Sequence, residues 1–171
     1  RRLEKFAEQH NKAFGLKLSN TLGVKNFKSV LSGDDMFMSG RSLFPLTINL
    51  AALLSDEFNG RIPISFSGGA SGFNINQILD TGIYPVTLVT DLLKPGGYYR
   101  LLNISNSINF ETRNQIDKTK TKQLADSSLA EQFYRKSSKE VDSIKVNKEL
   151  PKFDCYMAPC KAACAIEQDI P

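Results

Sequence analysis

Four groups of residues in this chain have types and spacing suited to chemistry. Ser67-Gly68-Gly69-Ala70-Ser71 follows an apolar run. Adjacent glycines free the backbone to turn and to present amide hydrogens, and a helix start just beyond would add positive dipole. Thr90, at the end of the next apolar run, adds a hydroxyl and an amide. Gly68, Gly69 and Thr90 together read as a phosphate site of the kind parallel barrels place after their last two strands. A tight strand-to-helix turn without a ligand explains the same residues. Asn20, within Ser19-Asn20-Thr21, offers a donor and an acceptor on a short stem, suited to the carbonyl and NH groups of a ring or simply to a turn. Lys17 lies two residues before Ser19, on the same strand face. It needs an anionic ligand or a buried carboxylate beside it. Met38-Ser39-Gly40-Arg41 joins a hydroxyl at Ser39 to a glycine at Gly40 that permits close backbone approach.

The fourth group is Cys155-x4-Cys160-x3-Cys164, which holds all 3 cysteines of the chain. An odd, clustered set is a poor disulfide framework and reads as metal or iron–sulfur ligation. Thiolates suit iron–sulfur clusters and zinc alike. A closed tetrahedral site needs a fourth ligand, and His10, the single histidine, is far off in sequence. The missing ligands are expected from elsewhere, and buried unligated cysteines are the plainer alternative.

The elements that must position these residues alternate. Residues 1–12 have the spacing of a helix through Leu3, Phe6, Ala7 and His10. Three apolar runs near 14–18, 62–67 and 84–90 read as strands. Between them, Pro45 starts a helix with an apolar face of Leu46, Leu50, Leu53 and Leu54. A short helix is expected over 74–80 and another after Pro95-Gly96-Gly97. This alternation predicts parallel strands with right-handed crossovers. The stretch 19–43 reads as a long polar loop, and such loops are usually functional or disordered. From residue 106 the composition turns polar, predicting a linker over 106–149 with a helix near 127–139. Three parallel strands leave unpaired edges, so further strands are expected before Arg1.

With 41% hydrophobic and 23% charged residues the chain is globular in composition. No apolar run approaches the ~20 residues of a membrane span. There is no signal peptide, which points to the cytoplasm. The net charge is +4, and the densest basic run, Lys118-Thr119-Lys120-Thr121-Lys122, is flanked by Asp117 and Asp126. It reads as a solvated face rather than a nucleic-acid surface. Both ends read as cuts within a longer protein.

Several runs are similar to one known family. They are the stretch from Phe14 to Gly23, Met36-Phe37-Met38-Ser39-Gly40-Arg41, the stretch from Pro63 to Ser71, Asp80-Thr81-Gly82-Ile83, the stretch from Thr90 to Tyr98, and the stretch from Asp154 to Pro171. In this order they resemble the selenate reductase iron–sulfur subunit family, relatives of dihydropyrimidine dehydrogenase and of the glutamate synthase small subunit. The resemblance implies an α/β fold: the C-terminal part of a (β/α)8 TIM barrel, dihydroorotate-dehydrogenase-like and FMN-binding, over residues 1–105. A linker and the start of an α-helical iron–sulfur domain over 150–171 would follow. It implies that Asn20 and its neighbours lie beside the flavin and substrate and that Ser39 and Gly40 approach the isoalloxazine. Gly68, Gly69 and Thr90-Asp91 would surround the FMN phosphate. Cys155, Cys160 and Cys164 would ligate 4Fe–4S clusters. NAD(P)H and FAD would bind in a later module.

Lys152 stands where related iron–sulfur domains carry a further cysteine, and Ala165 where they place proline. This implies an altered ligand set for one cluster, or its absence. The barrel's catalytic acid or base would lie upstream of Arg1, so no catalytic residue is named. The implied function is an oxidoreductase passing electrons between NAD(P)H, clusters and a flavin. The small-molecule substrate would be selenate or a pyrimidine-like or purine-like ring. A molybdenum-containing or other redox subunit is a possible partner under the same resemblance. A non-catalytic electron-transfer scaffold with a degenerate barrel, or a zinc-stabilised binding protein, would fit the same residues.

Overall fold

In the computed structural model the described residues are 1–27, 32–93, 96–109, 111 and 113–135. They run α1 (Arg2–Gln9), β1 (Leu16–Leu18), β2 (Leu22–Lys25), β3 (Asp35–Met38), a 3-10 turn (Gly40–Leu43), α2 (Phe44–Glu57), β4 (Ile64–Ser67), α3 (Ile75–Asp80), β5 (Val86–Thr87), α4 (Gly97–Ser107), α5 (Lys118–Ala130) and a second 3-10 turn (Gln132–Tyr134).

The three expected strands are present and parallel, in the order β1-β4-β5. Register fixes their two faces. Leu16 pairs with Ile64 and Leu18 with Phe66, which in turn pairs with Val86. These apolar residues face the helices, where Phe66 and Ile64 join Phe44, Ile48 and Ala51 in the core. The opposite face carries Lys17 against Ser65, then Ser67 against Thr87. This row is polar because alternate residues of a strand point to opposite sides.

α2 begins with Pro45 in its first turn, where a missing N–H is harmless. Its buried stripe is Phe44, Thr47, Ile48, Ala51, Ala52 and Ser55. Of the four leucines expected to form that stripe, Leu54 is partly buried and packs against the core, but Leu46, Leu50 and Leu53 lie outside it, 52%, 43% and 70% exposed. The helix carries two apolar stripes, and the one with small residues faces inward. Ala51, Ala52 and Ser55 let the helix axis approach its neighbours more closely than leucines allow.

Two expectations fail outside the sheet. Within the stretch read as a loop, β2 and β3 form an antiparallel hairpin, with Leu22 opposite Met38 and Lys25 opposite Asp35. The helix expected near 127–139 lies earlier, at Lys118–Ala130. It is capped by Asp117, whose carboxylate accepts from the Lys120 amide at 3.0 Å. Thr121, Leu124, Ala125 and Ser128 form its buried face, and its most extensive contact is with α2. The compact unit therefore runs Arg1–Lys136, beyond the boundary expected at residue 105. Burial of α5 overrides its polar composition. Lys118, Lys120 and Lys122 sit on the outer side, each beside a carboxylate: Asp56 at 3.3 Å, Asp80 at 2.7 Å and Asp126 at 2.8 Å. At the other end of the unit, α1 is tied down by Glu4, a buried carboxylate paired with Arg61.

Among the described residues, no helix is long and apolar enough to cross a membrane. Cys155, Cys160 and Cys164 lie outside the described residues, as do residues 136–149 of the stretch read as a linker.

Candidate functional site

Parallel neighbours place their C-terminal ends on one side of the sheet, and ligands bind there in α/β folds. Here that side holds a cavity of about 330 Å³. It is bounded by the loops that leave β1, β4 and β5 and by the turn that follows β3. Asn20, Ser39, Gly40, Gly68, Gly69 and Thr90 all line it. Six of the seven residues singled out from the sequence as cofactor-binding therefore meet at one place. Lys17 does not line the cavity. It is exposed, on the polar face of the sheet, one register step below Ser67 and Thr87.

Thr21, Ser67 and Ala70, which belong to the groups read from the sequence but were given no role of their own, also line the cavity, as do Thr87, Val89 and Leu93, which sequence reasoning did not single out. Strand alternation was the available signal for Ser67 and Thr87, because both follow from the register that points Leu18 and Phe66 inward. A larger open hollow, about 820 Å³, lies along α1, but only residues of the first nine line it. It has no convergent groups from different elements.

The glycines are there because nothing larger fits. Gly68 and Gly69 adopt φ of +126° and +83°, conformations that side chains disfavour. A Cβ on Gly68 would lie 2.9 Å from the Thr47 hydroxyl oxygen and 3.0 Å from that of Ser19. Those two hydroxyls are hydrogen-bonded to each other at 3.0 Å, so Ser19 turns toward α2 and away from the face that Lys17 occupies. Gly40 is held at φ +70°, and a Cβ there would come within 3.1 Å of the Thr90 methyl carbon. The loops after β3, β4 and β5 thus touch one another directly.

The cavity is uncharged. Among its lining residues there is no Asp, Glu, Lys, Arg or His, only hydroxyls, an amide, backbone and small apolar groups. Asp91, next to Thr90, does not bring charge into it. Its carboxylate is buried, accepts from an Arg100 nitrogen at 2.9 Å and from the Gly72 amide at 3.2 Å. The Ser71 amide donates to Asn74 Oδ1 at 2.9 Å. The amides of Gly68, Gly69 and Ala70 find no backbone acceptor among the described residues. Gly68 and Ala70 are buried and Gly69 is half-buried; successive amides without backbone partners at a glycine turn are the kind of donor set that can hold an anion. α3 adds little dipole, since it spans only 6 residues.

Behind the glycine loop lies an aromatic cluster. Tyr134 stacks on Phe44 at 4.6 Å between centroids, Phe73 stacks on Phe133 at 4.2 Å, and the Arg41 guanidinium lies 5.5 Å from the Phe133 centroid. Burial pushes the Tyr134 phenol above the usual tyrosine range, and the hydrogen bond from Asn74 partly offsets that. Among the described residues no group of His, Cys, Asp and Glu is arranged to hold a metal ion.

Parallel βα units with a cavity at the strands' C-terminal ends place the described residues in the α/β class, in the arrangement that barrels share. A family model described as oxidoreductase YgfK, N-terminal TIM-barrel domain, matches residues 1–137, and the chain belongs to that family. Two curated relatives, the YgfK proteins of Escherichia coli strain K12 and of Escherichia coli O157:H7, are each 48% identical over 173 residues. The match covers 99% of this chain and 17% of each relative, so the chain spans less than a fifth of their length. No solved structure matches the chain.

Proposed function

We propose that this chain carries the phosphate-holding side of an FMN site within a larger iron–sulfur flavoprotein oxidoreductase. The observation that carries the reading is the Gly68-Gly69-Ala70 turn: three successive residues that line an uncharged cavity at the ends of parallel strands and whose amides have no backbone acceptor among the described residues. The donor set suits the group. Backbone amides and the Thr90 and Ser39 hydroxyls can hold a phosphate without a lysine or arginine. The cavity's freedom from carboxylates removes the repulsion an anion would meet. Asn20 would meet the polar edge of the ring, and Lys17 would lie beneath it on the polar face of the sheet.

When bound, FMN links two-electron donors to one-electron iron–sulfur carriers. Cys155, Cys160 and Cys164 would contribute ligands to 4Fe–4S clusters, and NAD(P)H and FAD would bind elsewhere in the longer protein. The substrate is either an oxyanion such as selenate or a pyrimidine-like or purine-like ring. A turnover assay with both classes distinguishes them. The remaining strands of the barrel would come from chain preceding Arg1.

The test is full-length protein purified without oxygen. The expected result is FMN released on denaturation, together with iron and acid-labile sulfide that fall in Cys155→Ala and Cys164→Ala variants. Protein that holds no flavin contradicts the FMN reading. Iron content unaffected by both substitutions contradicts the ligand assignment.

A further inference from the structure

Asn74 is fully buried at the start of α3 and does not line the cavity. Its side chain nevertheless governs the loop that does. Oδ1 accepts from the Ser71 amide at 2.9 Å, and Nδ2 donates to the Gly69 carbonyl at 3.1 Å and to the Tyr134 hydroxyl at 3.2 Å. Tyr134 is itself 5% exposed and belongs to the turn after α5, distant in sequence from the loop. Its ring stacks on Phe44, whose backbone nitrogen would lie 2.9 Å from a Cβ on Gly69. Hydroxyl and ring thus each lead to the glycine loop through one neighbour, Asn74 and Phe44, and neither Asn74 nor Tyr134 lines the cavity.

The peptide linking Gly69 to Ala70 is planar and trans, so its C=O and N–H point in opposite directions. Asn74 holds the Gly69 carbonyl inward. The Ala70 N–H on the same plane must then point away from Asn74, and Ala70 lines the cavity. We propose that Tyr134 is a positioning residue. Acting through Asn74, it fixes the plane of the Gly69–Ala70 peptide and so aims the Ala70 amide at the anion. This rests on the reading of the cavity as a phosphate site. It adds that the segment following the last described helix controls how that site binds.

The experiment compares Tyr134→Phe with the wild type in full-length, flavin-depleted protein, using FMN and riboflavin as probes. Phenylalanine keeps the ring on Phe44 and removes only the hydroxyl. The expected result is FMN affinity weakened about fivefold, as for one neutral hydrogen bond, with riboflavin affinity unchanged. Hydrogen exchange across residues 68–72 should also be faster in the ligand-free variant. Unchanged FMN affinity, or equal weakening for both probes, overturns the proposal. Wild-type protein that binds riboflavin as well as FMN refutes the phosphate reading separately. In that case the exchange rate decides the positioning role: faster exchange in Tyr134→Phe supports it, and unchanged exchange overturns it. Asn74→Ala provides a second variant in which the exchange of residues 68–72 should rise further.

Discussion

A Cβ on Gly69 would sit 2.7 Å from the carbonyl oxygen of Gly40. The two residues meet across the floor of the cavity, one from the loop after β4 and one from the turn after β3. Gly69 is therefore packed as tightly as a core position, which decides what substitutions there can reveal.

Gly69→Ala should destabilise the protein, since it adds a close contact to a left-handed backbone conformation. The expected loss is about 1–3 kcal/mol, read as a lower midpoint of chemical denaturation. Flavin loss in this variant would follow from damage to the loop and would say little about direct contact.

Thr90→Val and Ser39→Ala are cleaner probes. Both residues line the cavity, and both lie outside the strands. Each variant should weaken FMN binding by up to about tenfold while the unfolding midpoint stays within experimental error of the wild type. Fluorescence titration with FMN measures the first quantity and denaturant unfolding the second.

The sheet and its cavity were legible in the sequence because the signals were local. Leu16, Leu18, Ile64, Phe66 and Val86 come in short apolar runs, and each run ends in residues suited to turning and binding. The hairpin was not legible. Leu22 and Val24 face Met38 and Met36, but the two pairs are separated by a long polar stretch that hides the alternation. α5 was misplaced because its buried face is Thr121, Leu124, Ala125 and Ser128, two of them hydroxyl residues. Only the surface of α2 beneath them makes those positions interior. The outward leucines of α2 misled for the converse reason: periodicity locates apolar stripes but does not say which one faces the sheet. Asn74 and Tyr134 gave no signal, since their link depends on a contact between segments distant in sequence.

Tyr134 predicts an alkaline instability. Its pKa is raised in the folded state, chiefly by burial. The folded protein thus keeps a proton that the unfolded chain has lost above about pH 10. Stability from this group is full below the unfolded pKa and declines as pH rises through the folded one. Wild-type protein should lose stability with pH in that window more steeply than Tyr134→Phe, measured by denaturant midpoints at a series of alkaline pH values. Identical slopes would show that this phenol does not control the loss.

Asp80 predicts a smaller effect of opposite sign at the acidic end. A hydrogen bond from Lys120 and the charges of Lys120 and Arg113 lower its pKa. The contribution is present above the unfolded carboxylate value, about pH 3.9, and is lost as pH falls through the depressed folded value. Because the pair is exposed, Lys120→Gln should cost no more than about 1 kcal/mol at neutral pH, and less at high salt. Thermal melts at two ionic strengths check this.

The most direct test of the central claim is an experimental structure of the full-length protein with FMN bound. The account predicts the FMN phosphate in the cavity between the loops after β3, β4 and β5, about 3 Å from the amide of Gly69 or Ala70 and from the Thr90 hydroxyl. A phosphate held elsewhere, with this cavity filled by protein side chains, would contradict it.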